Sequence, residues 1–538
     1  MLKSIGSWVA GVCLAAGLQG CAVAPEAPAQ AVPEVLPAGN GMVALKVAAV
    51  RRNTSVNTKW RALMVRERTT GQAITLSDIA PGGVSHALFV APLPAGTYNV
   101  TDFSVVAGGS SAPIQAGVGA ALILQLVASD SSKQSAALST FTVEAGAATN
   151  LGVMIAEVPD QKDKPAIASA LLLDEVAKSS VVEAMDAPSR AKFSGMRARS
   201  WDKEPDLMQN IRALDAAMNG AGSATSLGLS ADGGLIIGST LGRVFSRAPA
   251  SADWSTAPTG SLDAISHVER LPGGGLFAGT ETGRYHVWVP AQQRWVSHTL
   301  AQGERIVSVV PTTGQPGYLI ESHTYPLPVA PFARTRLRFV RDLAVGGPER
   351  IVLDVENKGW HPRTQIYDDG ADLIAIYNKP GFSRTADQYR INTRTLQVSA
   401  AVELDHFVKD VYRLEDGSLA RTRMNGTSNY IDFSTDNGKT WERGAESDVE
   451  YVRMRTRRDG YAVKIDSIMG GPTVRLRKTT DGGKTWTSLG TPVPINVLVH
   501  SPLLRASPDG IVLYSAWTVN STRDEGQTWS IEGPAALR

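Results

Sequence analysis

The sequence predicts an all-β chain: an N-terminal β-sandwich, a short helical linker and a C-terminal seven-bladed β-propeller, with six blades as the alternative. Three observations predict it. An eight-residue run of the form S/T-x-D-x-G-x-T-W recurs three times, with tryptophans at 441, 486 and 529, spaced 45 and 43 residues apart. A period of that length is one four-stranded blade. A glycine turn followed by an apolar strand recurs from Asp232-Gly233 to Asp509-Gly510. Upstream, residues 41–158 alternate apolar and polar residues over short runs between Gly- and Ser-rich turns, as a sandwich does.

The repeat is a turn followed by a strand. Its Asp accepts hydrogen bonds from nearby backbone N–H groups, and the leading Ser or Thr hydroxyl does the same. Its Gly takes a backbone angle that other residues avoid. Thr and Trp then enter a strand, where β-branched and aromatic side chains pack well, and the indole fills the wedge between blades. The runs are Ser434, Asp436, Gly438, Thr440, Trp441; Thr479, Asp481, Gly483, Thr485, Trp486; and Thr522, Asp524, Gly526, Thr528, Trp529. The pattern resembles the Asp box of BNR-repeat propellers such as sialidases, sortilin-type receptors and photosystem-assembly propellers. The box in that family sits on the periphery, away from the ligand face, so the resemblance implies a structural role for all fifteen residues.

The blade count comes from the other turns. Asp232-Gly233, Gly273-Gly274-Gly275, Asp369-Gly370, Asp416-Gly417, Asp459-Gly460 and Asp509-Gly510 give six, and Thr313 to Gly317 fills the gap as the seventh. Trp254 and Trp295, 41 residues apart, read as degenerate closures of the first two blades. Ring closure removes the exposed sheet edges that invite aggregation.

The N-terminus reads as an address. Lys3 precedes an apolar stretch from Ile5 to Leu18, too short to span a bilayer comfortably. Leu18-Gln19-Gly20-Cys21 resembles a bacterial lipobox. The resemblance implies that residues 1–20 are a signal peptide and that Cys21 is the lipid-attachment residue, carrying palmitate or a similar acyl chain. Ala22 after it implies the outer membrane. Cys13, the one other cysteine, leaves with the signal, so no disulfide and no cysteine metal site is expected in the mature chain. Residues 21–40 form an Ala/Pro-rich tether that reaches roughly 60 Å at ~3.1 Å per residue. The sandwich follows at 41–158, and its Leu93-Pro94-Ala95-Gly96-Thr97-Tyr98 resembles the turn and strand of carbohydrate-binding or prealbumin-like modules. Helical spacing at Leu173, Val176, Ala177, Val181 and Ala184, and at Leu207, Ile211, Leu214 and Met218, gives two helices in a linker over 159–218. The propeller occupies 219–538.

The chemistry is less specific. A net charge of +2 over 538 residues argues against nucleic acid as the main partner. Sialidases place their first arginine in an F/Y-R-I-P motif, and Tyr389-Arg390-Ile391-Asn392 is the nearest match, without the proline and in the fourth blade. Arg453, Arg455 and Arg457 alternate along a strand; lining the central channel, they would suit an anionic ligand. The run Asp368-Asp369-Gly370-Ala371-Asp372 reads as turn chemistry, since it lacks an EF-hand spacing. Eight histidines are scattered without HExxH, and no P-loop or GxSxG elbow is found. No metal and no cofactor is expected. These observations predict a lipid-anchored binding or scaffold protein of the outer membrane, on its periplasmic face or at the cell surface. Its propeller would hold a protein, peptide or envelope glycan. The alternatives are a glycoside hydrolase of sialidase type and an assembly factor for an envelope complex.

Overall fold

The computed structural model describes residues 35–51, 57–77, 79, 86–108, 140–158, 167–202, 224–229, 233–249, 251–324, 334–347, 350–356, 364–379, 385–425, 428–449, 451–465, 473–494, 503–507, 510–515 and 518–533. The signal peptide, Cys21, most of the tether and the second linker helix expected over Leu207–Met218 lie outside them.

The first module is a sandwich of two sheets. One sheet is antiparallel and contains β3 (Ala73–Ser77), β2 (Asn57–Glu67), β5 (Gly96–Gly108) and β6 (Thr140–Val143), in that order. The other runs β4 (His86–Pro94), β1 (Asn40–Arg51), β7 (Ala147–Val158) and β8 (Ile167–Leu172), and β1 and β7 are parallel. A short strand, β9 (Arg197–Arg199), also pairs with β7. Val43, Leu45 and Val47 of β1 face the other sheet and pack with Leu63, Phe89, Tyr98 and Phe141. Trp201 closes this core, its indole N–H donating to Leu151 O at 2.7 Å and its ring edge-on to Phe141.

The opposite face of β1 is apolar too. Met42, Ala44 and Ala48 pack on Ala177 and Val181 of α1 (Glu175–Glu183), on Met185 just beyond it, and around Phe193 of α2 (Ala187–Ser194). Each helix starts on an aspartate cap: Asp174 accepts from Ala177 N at 2.8 Å and Asp186 from Ser189 N at 2.7 Å. The linker expected over 159–218 is therefore corrected in part. Helix α1 begins two residues after Leu173, but Ile167–Leu172 is a strand, and so is Arg197–Arg199. The free edge of β7 offers unpaired backbone groups, and both segments satisfy them. A short apolar run such as IASALL fits a strand or a helix equally, and this edge decides it.

Among the described residues seven four-stranded antiparallel sheets follow, each built from four consecutive strands in sequence order. They span 224–258, 265–299, 304–356, 364–404, 407–447, 451–489 and 503–531, and are numbered here as blades 1 to 7. First strands of neighbouring blades pack on each other where blades 1 and 2, 2 and 3, 4 and 5, and 6 and 7 meet, which sets the first strands innermost. All seven expected turns fall between first and second strands, although Asp232 and Asp509 themselves lie outside the described residues.

Neighbouring blades meet through apolar clusters, and such a cluster joins every adjacent pair. The last pair is blade 7 with blade 1, where Val512 and Val519 meet Leu227, Ile237 and Phe245. Arg247 and Glu532 pair beside them at 3.2 Å, both about nine-tenths buried. Among the described residues the ring is thus closed by side chains, with no strand shared across the seam. Trp441 packs into the cluster between blades 4 and 5, Trp486 between 5 and 6, and Trp529 between 6 and 7. Trp254 and Trp295 take the matching places between blades 7 and 1 and blades 1 and 2.

The three repeat turns are superposable in their bonding. In the second, Thr479 Oγ1 donates to Asp481 Oδ1 at 2.8 Å, and Asp481 accepts from Thr485 N at 3.0 Å and Thr485 Oγ1 at 2.6 Å. Gly483 N donates to Thr479 Oγ1 at 2.9 Å. The same four bonds recur around Asp436 and Asp524. Donors from the threonine four residues on hold all three carboxyls down at about 2. The glycines need their left-handed angle: φ is +85° at Gly438, +87° at Gly483 and +86° at Gly526. A Cβ at Gly438 would meet the Tyr367 ring at 2.6 Å, because each turn presses on the preceding blade.

The sandwich docks on blades 1 and 2. Lys46 of β1, only 1% exposed, reaches Asp263 Oδ1 at 2.9 Å and Ser180 Oγ at 2.7 Å. Asp263 lies in the connection between blades 1 and 2 and also accepts from Thr282 Oγ1 at 3.0 Å. Leu241 and Leu262 join the apolar cluster of β1 and α1. Arg284 pairs with Glu183 at 2.5 Å, and Gln302 donates to Met185 O at 2.5 Å. His86 is buried beside the Lys46–Asp263 pair, and burial together with the Lys46 charge pushes its pKa down to about 3. A histidine depressed in the fold binds its proton more readily when unfolded. Its stabilising share is whole above about 6.5 and is lost as pH falls toward 3. The His86→Leu variant should therefore lose less stability than the parent between pH 6.5 and 4, measured by urea unfolding at each pH.

Candidate functional site: an arginine pocket between blades 4 and 5

The ring has two unlike ends. The first-to-second turns and the repeat turns share one end: Arg413 donates to Asn437 Oδ1 at 3.0 Å, and Gly482 N donates to Arg458 O at 2.8 Å. Second-to-third turns and blade-to-blade connections share the other, and there the sandwich docks, through Leu241, Asp263, Arg284 and Gln302. That connection end also carries a pocket of about 230 Å³ on the flank of blade 5 facing blade 4.

The pocket follows from strand alternation. In the second strand of blade 5 (Leu419–Asn425), Leu419 packs toward blade 4 and Ala420 toward blade 6. Period two puts Arg421 and Arg423 on the blade 4 side with Leu419. In the third strand (Ser428–Ser434), Ile431 and Phe433 face blade 6, so Tyr430 and Asp432 join the arginines. Asp432, 1% exposed, sits opposite Arg421 in register. Its Oδ2 accepts from Arg421 Nη2 at 2.8 Å and Arg423 Nε at 2.5 Å, and its Oδ1 from Gly444 N at 3.3 Å. The Arg421 guanidinium lies over the Trp441 ring at 4.4 Å. Tyr430 is held between two guanidiniums, Arg423 at 4.4 Å and Arg443 at 4.7 Å.

The connection from blade 4 supplies the rim. His406 Nδ1 is 2.6 Å from Asp405 Oδ1, and its Nε2 is buried without a hydrogen-bond partner. Burial pushes the His406 pKa down; Asp405 works against this and the Arg421 and Arg423 charges add to it. Burial likewise lowers Arg421, against the pull of Asp432, and its Nε also has no partner. Arg443 is exposed and makes no ion pair among the described residues. Three guanidiniums thus face one buried carboxylate, while Asp405 stands in solvent at the rim.

Other arginine groups in the ring are balanced. In blade 3, Glu304 takes bonds from both Arg336 and Arg338, and Asp354 takes Arg334 and Arg336. Arg453, Arg455 and Arg457, expected to hold an anion together, are not brought together. The strand ends at Met454, so Arg455 and Arg457 lie in the turn beyond it. Each pairs with a separate carboxylate of blade 5: Asp410 at 3.7 Å, Glu415 at 2.8 Å, and Glu442. They tie two blades. Arg390 of the Tyr389 motif is on a third strand, away from the central channel, and pairs with Asp369 and Asp372. Asp369 also accepts from Ala371 N and Asp372 N, so that run is turn chemistry. Among the described residues no group of three His, Cys, Asp or Glu could hold a metal, and no helix is long and apolar enough to cross a membrane.

The arginine pocket was missed in the sequence, although Arg421-Thr422-Arg423 is the same R-x-R alternation noted elsewhere. What marks it is the next strand, which offers one acid at 432 where two would be needed, and the segment after the repeat turn, which adds Arg443.

The geometry defines a class: a β-propeller repeat protein with a sandwich docked on its ring. No known family model matches the chain, and no curated protein does. Solved structures with a similar outline include hydrazine synthase of Kuenenia stuttgartiensis, at 13% identity over 58% of this chain and 96% of that one, TM-score 0.37. The Dos1 propeller gives 10% identity over 59% and 84%, TM-score 0.39. YCF48 bound to D1 peptide gives 13% over 55% and 91%, TM-score 0.38. Scores this low carry no ligand, partner or activity to this chain.

Proposed function

We propose that the chain is a lipid-anchored envelope protein, attached through Cys21, whose propeller binds a protein, peptide or glycan partner at its connection end. The supporting observation is the arginine pocket, where three guanidiniums face one buried carboxylate on a surface the sandwich does not occupy. Folds of this kind host many functions, so the site carries the reading rather than the ring. The repeat turns at the opposite end are saturated with their own hydrogen bonds and act as structure.

Two measurements test it. The Cys21→Ser variant should lose metabolic labelling by an alkyne palmitate and leave the membrane fraction; unchanged labelling sinks the anchor. A photo-crosslinking residue placed at Asp405 should give one discrete adduct in cells, and the same residue at Lys484, on the repeat-turn end, should give none. Adducts of equal yield at both positions would remove the connection end as the binding surface.

A further inference from the structure

We propose that the pocket between blades 4 and 5 is a binding site for a phosphate or sulfate group, held by Arg421, Arg423 and Arg443. The proposal deepens the reading of the connection end as the binding surface and rests on it. Charge argues for an anion that several guanidiniums can share. Of the two acids on the lining, Asp432 is buried against Arg421 and Arg423, while Asp405 is turned to solvent beside His406, so three guanidiniums face one buried carboxylate. Arg421 and Arg423 reach the same Oδ2, which leaves their other N–H groups without an acceptor among the described residues. The terminal nitrogens of Arg423 make no hydrogen bond among the described residues. Arg421 Nε, on a side chain about nine-tenths buried, also has none. Unpartnered buried groups of this kind are costly unless a ligand meets them.

Rigidity argues for a site rather than a solvated patch. Trp441 and Tyr430 hold the guanidinium planes by stacking, and Trp441 is itself fixed in the wedge between blades. The cavity, about 230 Å³, has room for one oxyanion with waters, and its mouth is open to solvent, so the group can stay attached to a larger molecule outside. The group would arrive free, on a sugar, or on a lipid headgroup.

Titration calorimetry on the purified lipid-free chain, in low chloride at pH 7, tests this with inorganic phosphate, sulfate and acetate. Phosphate and sulfate should bind one per chain, with acetate at least ten-fold weaker. Arg443→Ala removes an exposed side chain without an ion pair, so its thermal midpoint should match the parent while phosphate binding falls roughly ten-fold, the size of one charge-assisted bond. Arg453→Gln, which lies elsewhere, should bind as the parent does. Saturating phosphate should also shift the His406 ring resonances in NMR. Equal binding of acetate, or phosphate binding unchanged in Arg443→Ala, overturns the proposal. Glucose 6-phosphate and vesicles with or without phosphatidic acid then separate the three sources. An adduct at Asp405 without anion binding sinks this proposal and leaves the partner-binding reading standing; anion binding without an adduct does the reverse.

Discussion

Asp263→Ala should lower unfolding stability by about 3–5 kcal/mol, the cost of stranding one partner of a buried ion pair. Lys46 would remain inside the junction between sandwich and ring, with Ser180 as its hydrogen-bond partner among the described residues. Burial raises the Asp263 pKa, but the charge and hydrogen bond of Lys46 outweigh it and hold the carboxyl well below its ordinary range. The same loss should appear in Lys46→Met. The paired variant, Lys46→Met with Asp263→Leu, should recover most of it, because an apolar pair of similar volume avoids the desolvation cost. Urea unfolding of the four proteins gives the coupling directly. Losses that simply add in the pair would show that the two groups act separately.

Trp486→Ala should cost about 3 kcal/mol, the low end for a large aromatic because the ring is partly exposed. The indole fills space between Leu414, Ala420, Ile431 and Phe433 of blade 5 and Met454 of blade 6. Its removal leaves a void between two blades, so hydrogen exchange should quicken in both, and much less in blades 1 and 2. A loss confined to blade 6 would mean the ring acts inside its own sheet and is not a wedge. Trp486→Phe should retain roughly half of the stability lost in the alanine variant, since most of the apolar contact remains.

Much of the ring was legible because its signals are local. A turn needs Asp, Gly and Thr within eight residues, and Trp441, Trp486 and Trp529 mark the wedge without reference to any distant residue. The strand Ile167–Leu172 was not legible, because its identity depends on an edge of β7 reached through the fold. Lys46 looked like one polar residue in an alternating strand. Its partner lies 217 residues away, so nothing near it announced a buried pair. The arginines tell the same story twice. Arg453, Arg455 and Arg457 alternate correctly, yet the strand stops at Met454 and acids from the neighbouring blade answer each of them. Arg421 and Arg423 alternate just as well, and only the count of acids around them sets them apart. Alternation places side chains on a face, but the opposite face decides what they do.

The closure of the ring by side chains alone has a mechanical consequence. Where blade 7 meets blade 1, the hoop is fastened by a greasy seam and the Arg247–Glu532 clasp, and no described strand crosses the join. Under a stretching load this join should part first, leaving every four-stranded unit whole. By the same logic such wheels can gain or shed a spoke over evolutionary time, since a duplicated stretch of about forty residues brings all of its own strands with it.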